Sequence, residues 1–304
     1  MLADEDLQLA LYCCYELHYR GLPGVDDRWE WSPSLLELRA QIEEQFEQAL
    51  MDLAGPPRTD AGFASADMDL ALRAIGDGDG DPSLSRHLDR EGTLDQLREF
   101  LMHRSAYQLK EADPHSWALP RLSGGPKAAL VEIQADEYGG GRAERIHAKL
   151  FADAMDAFGL DSRYGAYLGR LPAATLASVN LMSFFGLHRR WRGAIVGHLA
   201  LFEMTSAVPS RRYGDAARRL GPDDPRAAAF FDEHVEADSV HESIAGVDLA
   251  GGLARDEPDI AGDILFGARA LVAVDGRWAA ALLEPWGRGE TSLLAAGAGA
   301  GVAS

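Results

Sequence analysis

Between Leu130 and Met155 the sequence puts acidic and apolar residues on one helical stripe: Leu130, Ile133, Glu137, Glu144, His147, Phe151 and Met155 recur at intervals of three, four and seven. A stripe with that period belongs to an amphipathic helix whose apolar side packs into a core. Two carboxylates and an imidazole at core-facing positions then need partners, because an unpaired buried charge is costly. The spacing places Glu137 and Glu144 two turns apart on one face, with Glu144 and His147 neighbours on it. Glu-x-x-His is the unit with which helical carboxylate proteins hold iron or manganese. Gly139-Gly140-Gly141 interrupts the stripe, and each glycine costs roughly 1 kcal/mol against alanine inside a helix. A kink is therefore expected there, one that lets Glu137 turn toward a metal.

The same conflict between stripe and polarity recurs on two further predicted helices. Thr93 and Gln96 form a capping box that opens a helix through Leu97, Phe100, Leu101 and Tyr107, ending before Pro114, with Glu111 on its apolar stripe. From Asp224-Pro225 to about Leu249 a second helix carries His234, Asp238 and His241 at i, i+4 and i+7, within roughly 60° of one another. Phe230, Phe231 and Ala245 continue that face. Helical stretches are also predicted over 4–20, 32–54, 172–186, 191–206 and 258–286, and no strand pattern appears, so the fold class is all-α. His198 and Glu203 lie five apart, a poor spacing for one metal face, and His198 reads as a hydrogen-bonded core histidine.

Composition narrows the function. With 304 residues, 47% apolar and 25% charged, the chain fits a globular protein with a sizeable core. Its formal net charge of −19 disfavours nucleic acid and anionic membranes as partners and favours a small organic substrate. Cys13 and Cys14 are adjacent and supply neither a disulfide framework nor a thiolate metal cluster. The acidic start M-L-A-D-E-D is unlike a secretory signal, and no run of about eighteen apolar residues is present, so a cytoplasmic location is expected. Asp77, Asp79 and Asp81 have calcium-loop spacing, but Pro82 and Leu88 stand where glycine and glutamate are needed, which leaves an acidic loop. Residues 1–90 are expected to form a helical extension packed on a main domain over 91–290, and the Gly-rich 291–304 a disordered tail docking nowhere.

Arg104, Arg142 and Arg145 could each neutralise a buried carboxylate, but pairing by arginine does not explain three histidines on the same stripes. Two divalent cations do, since they need anionic oxygens to offset charge and neutral imidazoles to complete their shells. The order Glu, then Glu-x6-Glu-x-x-His, then His-x3-Asp-x2-His resembles the ligand pattern of the heme-oxygenase-like diiron oxidases, and within them the N-oxygenases. The resemblance implies a heme-oxygenase-like helical bundle. It implies a metal set of Glu111, Glu137, Glu144, His147, His234, Asp238 and His241, with Glu137 the extra carboxylate of the N-oxygenase branch. It further implies two Fe(II), dioxygen as cosubstrate, a peroxo-diiron(III) species and oxygen delivery to an amine-type small molecule. Reducing equivalents must come from an external electron donor, because the chain has no flavin or nicotinamide fingerprint, and a homodimer is compatible with the N-terminal extension. Two alternatives stay open: oxidative C–C cleavage or desaturation of a fatty or amino acid at the same site, and a non-catalytic metal- or haem-binding helical protein.

Overall fold

The computed structural model describes residues 1–58, 67–78 and 83–295, apart from the side chains of Asp238 and Ser239. Among these residues the regular structure is helical and no strand occurs. In chain order the helices are α1 (Glu5–Glu16), α2 (Pro33–Ala54), α3 (Met68–Gly76), α4 (Leu84–Arg90), α5 (Leu94–Gln108), α6 (Asp113–Ser116) and α7 (Gly124–Glu137). They continue as α8 (His147–Ala157), α9 (Ala173–Leu187), α10 (Arg192–Leu220), α11 (Arg226–Ser243), α12 (Gly251–Asp256) and α13 (Ala261–Gly287). Asp79 and Asp81 of the acidic loop lie outside the described residues.

Local chemistry sets several of these boundaries. Both bonds of the capping box are present at α5: Gln96 N–H donates to Thr93 Oγ1 at 3.2 Å and Thr93 N–H to Gln96 Oε1 at 3.1 Å. Gly55 ends α2 at φ 73°, a conformation open to glycine. The glycine run breaks the Leu130–Met155 stripe outright. Gly139, Gly140 and Gly141 all have positive φ, and a Cβ on Gly139 would sit 2.7 Å from the backbone of Arg145 and Ile146. Two 3-10 turns, Gly139–Gly141 and Ala143–Arg145, replace the helix, and α8 restarts at His147. α11, by contrast, passes through a π-helical turn at Ile244–Ala250 into α12 with helical backbone at both junctions.

The long α10 forms the axis of the bundle and packs along α11 and α13. Its approach to α13 is close because both helices carry glycine at the crossing. A Cβ on Gly197 would run into the carbonyl of Ile264, and one on Gly267 into that of Ala194. Leu11, Tyr15, Phe46, Leu50, Met68 and Leu72 share one apolar cluster with Phe184, Ile195 and Leu265, so α1–α3 contribute to the same core as α9, α10 and α13. A second cluster gathers Phe100, Phe151, Phe230, Phe231 and Trp278.

The chain after α13 departs from expectation where it is described. The Glu99 carboxylate accepts from Ser292 N (2.8 Å), Ser292 Oγ (2.6 Å) and Trp286 Nε1 (2.8 Å). Leu293 is buried, and Leu294 N–H bonds to Arg170 O, so this segment docks on the bundle. Residues 296–304 lie outside the described residues. No helix among the described residues is long and apolar enough to cross a membrane.

Candidate metal centre

Helix ends and helix interiors converge on one buried set of acids and imidazoles. Glu111 sits in the turn that follows α5, Glu137 is the last residue of α7, and His147 is the first of α8. His234 and His241 come from α11, two turns apart, and Glu203 from the middle of α10. The turn at Glu111 is strained: Ala112 has φ 71°, a left-handed conformation that costs an L-residue about 1–2 kcal/mol. Gln134 holds it, donating from Nε2 to Ala112 O (2.8 Å) and Ser116 Oγ (2.7 Å). Gln108 Nε2–H donates to Glu111 Oε1 at 3.1 Å and fixes that carboxylate.

The six side chains form two groups with one member in common. Glu111, Glu137, His147 and His234 each offer a ligand atom, all within 4.8 Å of one another, and so do Glu137, Glu203 and His241. In the first group His147 Nδ1 lies 3.0 Å from Glu137 Oε2, and His234 Nε2 lies 3.5 Å from Glu111 Oε1. The two imidazole rings are 4.6 Å apart. His234 Nδ1 is 2.8 Å from Phe230 O, and since a carbonyl only accepts, the proton sits on Nδ1 and Nε2 presents its lone pair to the group. In the second group His241 is held at both nitrogens, Nδ1 to Glu203 Oε2 (3.2 Å) and Nε2 to Asp136 Oδ2 (3.1 Å).

Bonds within the protein leave the first group unsatisfied. Glu111 Oε2, Glu137 Oε2 and both nitrogens of His147 are buried without a hydrogen-bond partner; the 3.0 Å contact of Glu137 with His147 lacks hydrogen-bond geometry. Such atoms are rare in folded proteins, and four of them converging on one spot fit donors arranged for a cation. Burial pushes the Glu137 carboxyl above its ordinary range, with His147 pulling the other way. For His147 burial favours the neutral ring, but Glu137 outweighs it and the pKa is raised. Burial also opposes charge on His241, yet the bond to Glu203 and the charges of Glu203, Glu137 and Asp136 lift it to about 9. Acids that jointly stabilise an imidazolium are equally placed to receive a divalent cation. The donor set, three carboxylates and three imidazoles with no thiolate, fits iron or manganese.

The fold corrects two expectations drawn from helical spacing. Glu144 does not share a helical face with His147, because the glycine break puts it in the exposed Ala143–Arg145 turn, outside both groups. Glu203, poorly spaced from His198 for a shared metal face, is buried against Glu137 and His241. The sign of it in the sequence is a glutamate among Leu199, Leu201 and Phe202 on an otherwise apolar stretch. His198 is a buried, hydrogen-bonded histidine, its Nδ1 3.2 Å from His115 Nε2. Asp238 lies on α11 between His234 and His241, its side chain outside the described residues. None of the three arginines pairs with the cluster: Arg145 bonds Glu233 at 2.5 Å, Arg142 is exposed, and Arg104 stacks on Trp278.

Residues 98–276 match the sequence profile of the iron-containing redox enzymes, a span of more than half the chain that includes all six clustered residues. The chain belongs to that family. A search of curated proteins found no match. For an iron-containing redox enzyme, access to the metal groups matters as much as the ligands. A cavity of about 530 Å³ meets the cluster at Gln108 and His234, and its walls include Phe100, Phe151, Phe202 and Phe230. Ser83 and Ser85 also line it, so residues before the matched span help to shape the cavity.

Proposed function

We propose that this chain is a non-haem diiron oxygenase that N-hydroxylates an amine-type small molecule, drawing electrons from an external donor. The observation that carries the diiron reading is Glu137: one buried carboxylate belongs to both metal-competent groups, as a residue serving two adjacent cations must. A single axial histidine for haem would leave three buried carboxylates facing three imidazoles with no role. Attack on nitrogen is supported by the resemblance to the N-oxygenases, in which Glu137 matches the additional carboxylate.

In this reading Glu111, Glu137, His147 and His234 hold one ion, and Glu137, Glu203 and His241 the other. Asp238 is proposed as a further ligand from α11. Two ferrous ions bound there would supply the site and electrons for activating dioxygen. The protein's own residues position and insulate. Gln108 and Gln134 fix Glu111 and its strained neighbour, Phe230 O sets the tautomer of His234, and Asp136 orients His241. Phe151, Phe202 and Phe230 keep the cavity approach apolar, so that a substrate displaces water beside the metals.

Anaerobic Fe(II) titration followed by dioxygen tests this. Two irons per chain and a transient visible absorption on oxygen exposure are expected, with label from isotopic dioxygen appearing in an N–O bond of the product. A Soret band, or iron that ignores oxygen, would overturn the reading, and label in a C–O product or an alkene would move it to the carbon-oxidising alternatives.

A further inference from the structure

The metal groups border a small cavity of their own, distinct from the large one that reaches them from outside. It has about 10 Å³ of room, close to what one water-sized molecule needs. Glu111, Glu137, Glu203 and His234 line it, so it touches members of both groups. Tyr107 and Phe202 complete much of the wall. His234 and Phe202 also line the large cavity, whereas Tyr107, Glu137 and Glu203 do not. These two residues form the boundary between a space that suits an organic substrate and a space that suits a diatomic molecule.

Tyr107 is the polar member of this wall that metal ligation leaves without a role. It lies on α5 one turn before Glu111, and its carbonyl accepts from Lys110 N–H at 2.8 Å, which ties its position to the turn that carries Glu111. The ring meets Phe202 edge-on, with centroids 6.2 Å apart and planes at 87°, and Phe202 in turn lies nearly parallel to the His198 ring, at 11°. These contacts fix the phenol ring in place. Only 5% of Tyr107 is exposed, yet its Oη has no hydrogen-bond partner among the described residues. Leaving such a group buried and unbonded costs about 1–3 kcal/mol. Burial lifts its pKa well above the ordinary 10, and the charges of Glu111, Glu137 and Glu203 lift it further, so the oxygen keeps its proton and is available as a donor.

A donor and several acceptors thus share one cavity without meeting. Glu111 Oε2 and Glu137 Oε2 likewise have no hydrogen bond. Cations account for the carboxylates, which leaves the phenol in need of an acceptor that arrives with the metals. We propose that Tyr107 donates a hydrogen bond to a small ligand seated in this cavity, and that the ligand is a diatomic with an acceptor atom at its far end, dioxygen in the reaction proposed above. The organic substrate then keeps to the large cavity, beyond His234 and Phe202. Tyr107 orients the diatomic and stabilises the negative charge that develops on it as electrons arrive, while retaining its own proton. This inference deepens the functional reading and rests on it for the metals; the side on which the small ligand lies is a separate claim.

Nitric oxide, a diatomic that binds ferrous iron, is the probe, added anaerobically to the full chain loaded with Fe(II). Tyr107→Phe keeps the ring and removes only the hydroxyl. It should leave the iron content unchanged, speed the release of nitric oxide about tenfold, as loss of one buried hydrogen bond implies, and raise the N–O stretching frequency. The unsubstituted chain should also show a shift of that frequency between H2O and D2O that the variant lacks. Tyr213 lines the large cavity instead, and Tyr213→Phe should change none of these quantities. Unchanged release and frequency in Tyr107→Phe, or a response to Tyr213→Phe in its place, would overturn the proposal. Faster release without the frequency shifts would be a packing defect and would overturn it too, as would a phenolate-to-iron absorption band lost in Tyr107→Phe, which would make Tyr107 a ligand. If two irons bind and nitric oxide ignores Tyr107, only this inference falls; if no iron binds, the functional reading falls and this inference with it.

Discussion

Lys110 and Glu111 are consecutive in sequence and both buried, yet they enter opposite kinds of environment. Lys110 Nζ meets Glu16 Oε2 at 2.9 Å, Tyr164 Oη donates to the same oxygen at 2.7 Å, and the ammonium lies over the rings of Tyr19 and Tyr12 at 4.3 and 4.7 Å. One oxygen, Glu16 Oε1, is left without a bond. Burial lowers the Lys110 pKa and Glu16 partly restores it, as in a structural ion pair that offsets its own desolvation. Glu111, one residue on, faces Glu137, His147 and His234, where several polar atoms lack partners and no lysine or arginine among the described residues forms an ion pair with it. Burial of charge therefore does not identify a functional site here. The distinguishing property is charge that the protein's own bonds leave uncompensated.

Removing Glu137 should have the largest effect, because it belongs to both groups. Glu137→Ala is expected to drop iron from two per chain to none after gel filtration, measured by metal analysis, whereas Glu203→Ala should retain one. Glu144→Ala is the companion measurement: unchanged iron leaves the ligand set as the fold assembles it, and loss of an iron would show that the Gly139–Arg145 turn rebuilds around the metal. On the satisfied side, Lys110→Met should cost about 3–5 kcal/mol of stability in urea denaturation, as unpaired buried charges do, with iron stoichiometry unchanged. An iron loss on that substitution would erase the distinction between the two regions.

Metal removal gives an intermediate effect. Fe(II) at about a hundred times its dissociation constant should raise the unfolding free energy by about 2.7 kcal/mol for each ion bound, reversed by a chelator, because only the folded chain assembles the groups. The smallest effect concerns His103, bonded to Thr175 Oγ1 at 2.6 Å and Ser292 Oγ at 3.0 Å. Burial pushes its pKa down to about 3 from an ordinary 6.5. The folded pKa lies below the unfolded one, so its stabilising contribution is complete above about pH 6.5 and is lost as pH falls toward about 3. Between about pH 6.5 and 5 the loss should be on the order of 1.5 kcal/mol, and His103→Gln should flatten that part of the stability profile.

Much of the cluster is legible in the amino-acid sequence, for a physical reason. Glu111, Glu137, His147, His234 and His241 each occupy a position that helical periodicity assigns to the core, where a polar residue has to be accounted for. Periodicity misplaces Glu144 because it assumes one continuous helix, and three glycines of positive φ reset its phase. Glu203 escapes it because its partners, Glu137 and His241, lie 66 and 38 residues away along the chain and leave no local spacing to read.

The sequence by itself determined that the chain is helical, that its polar residues conflict with its apolar stripes on three segments, and that those residues have the chemistry of iron ligands. These are local properties, set by backbone periodicity and side-chain type. Tertiary structure alone decided which of the acids meet, that Glu137 is common to two groups and that Glu203 joins them. Those outcomes depend on how α10 crosses α11 and α13, and the crossing is fixed by close approaches such as Gly197 against Ile264, between residues far apart along the chain.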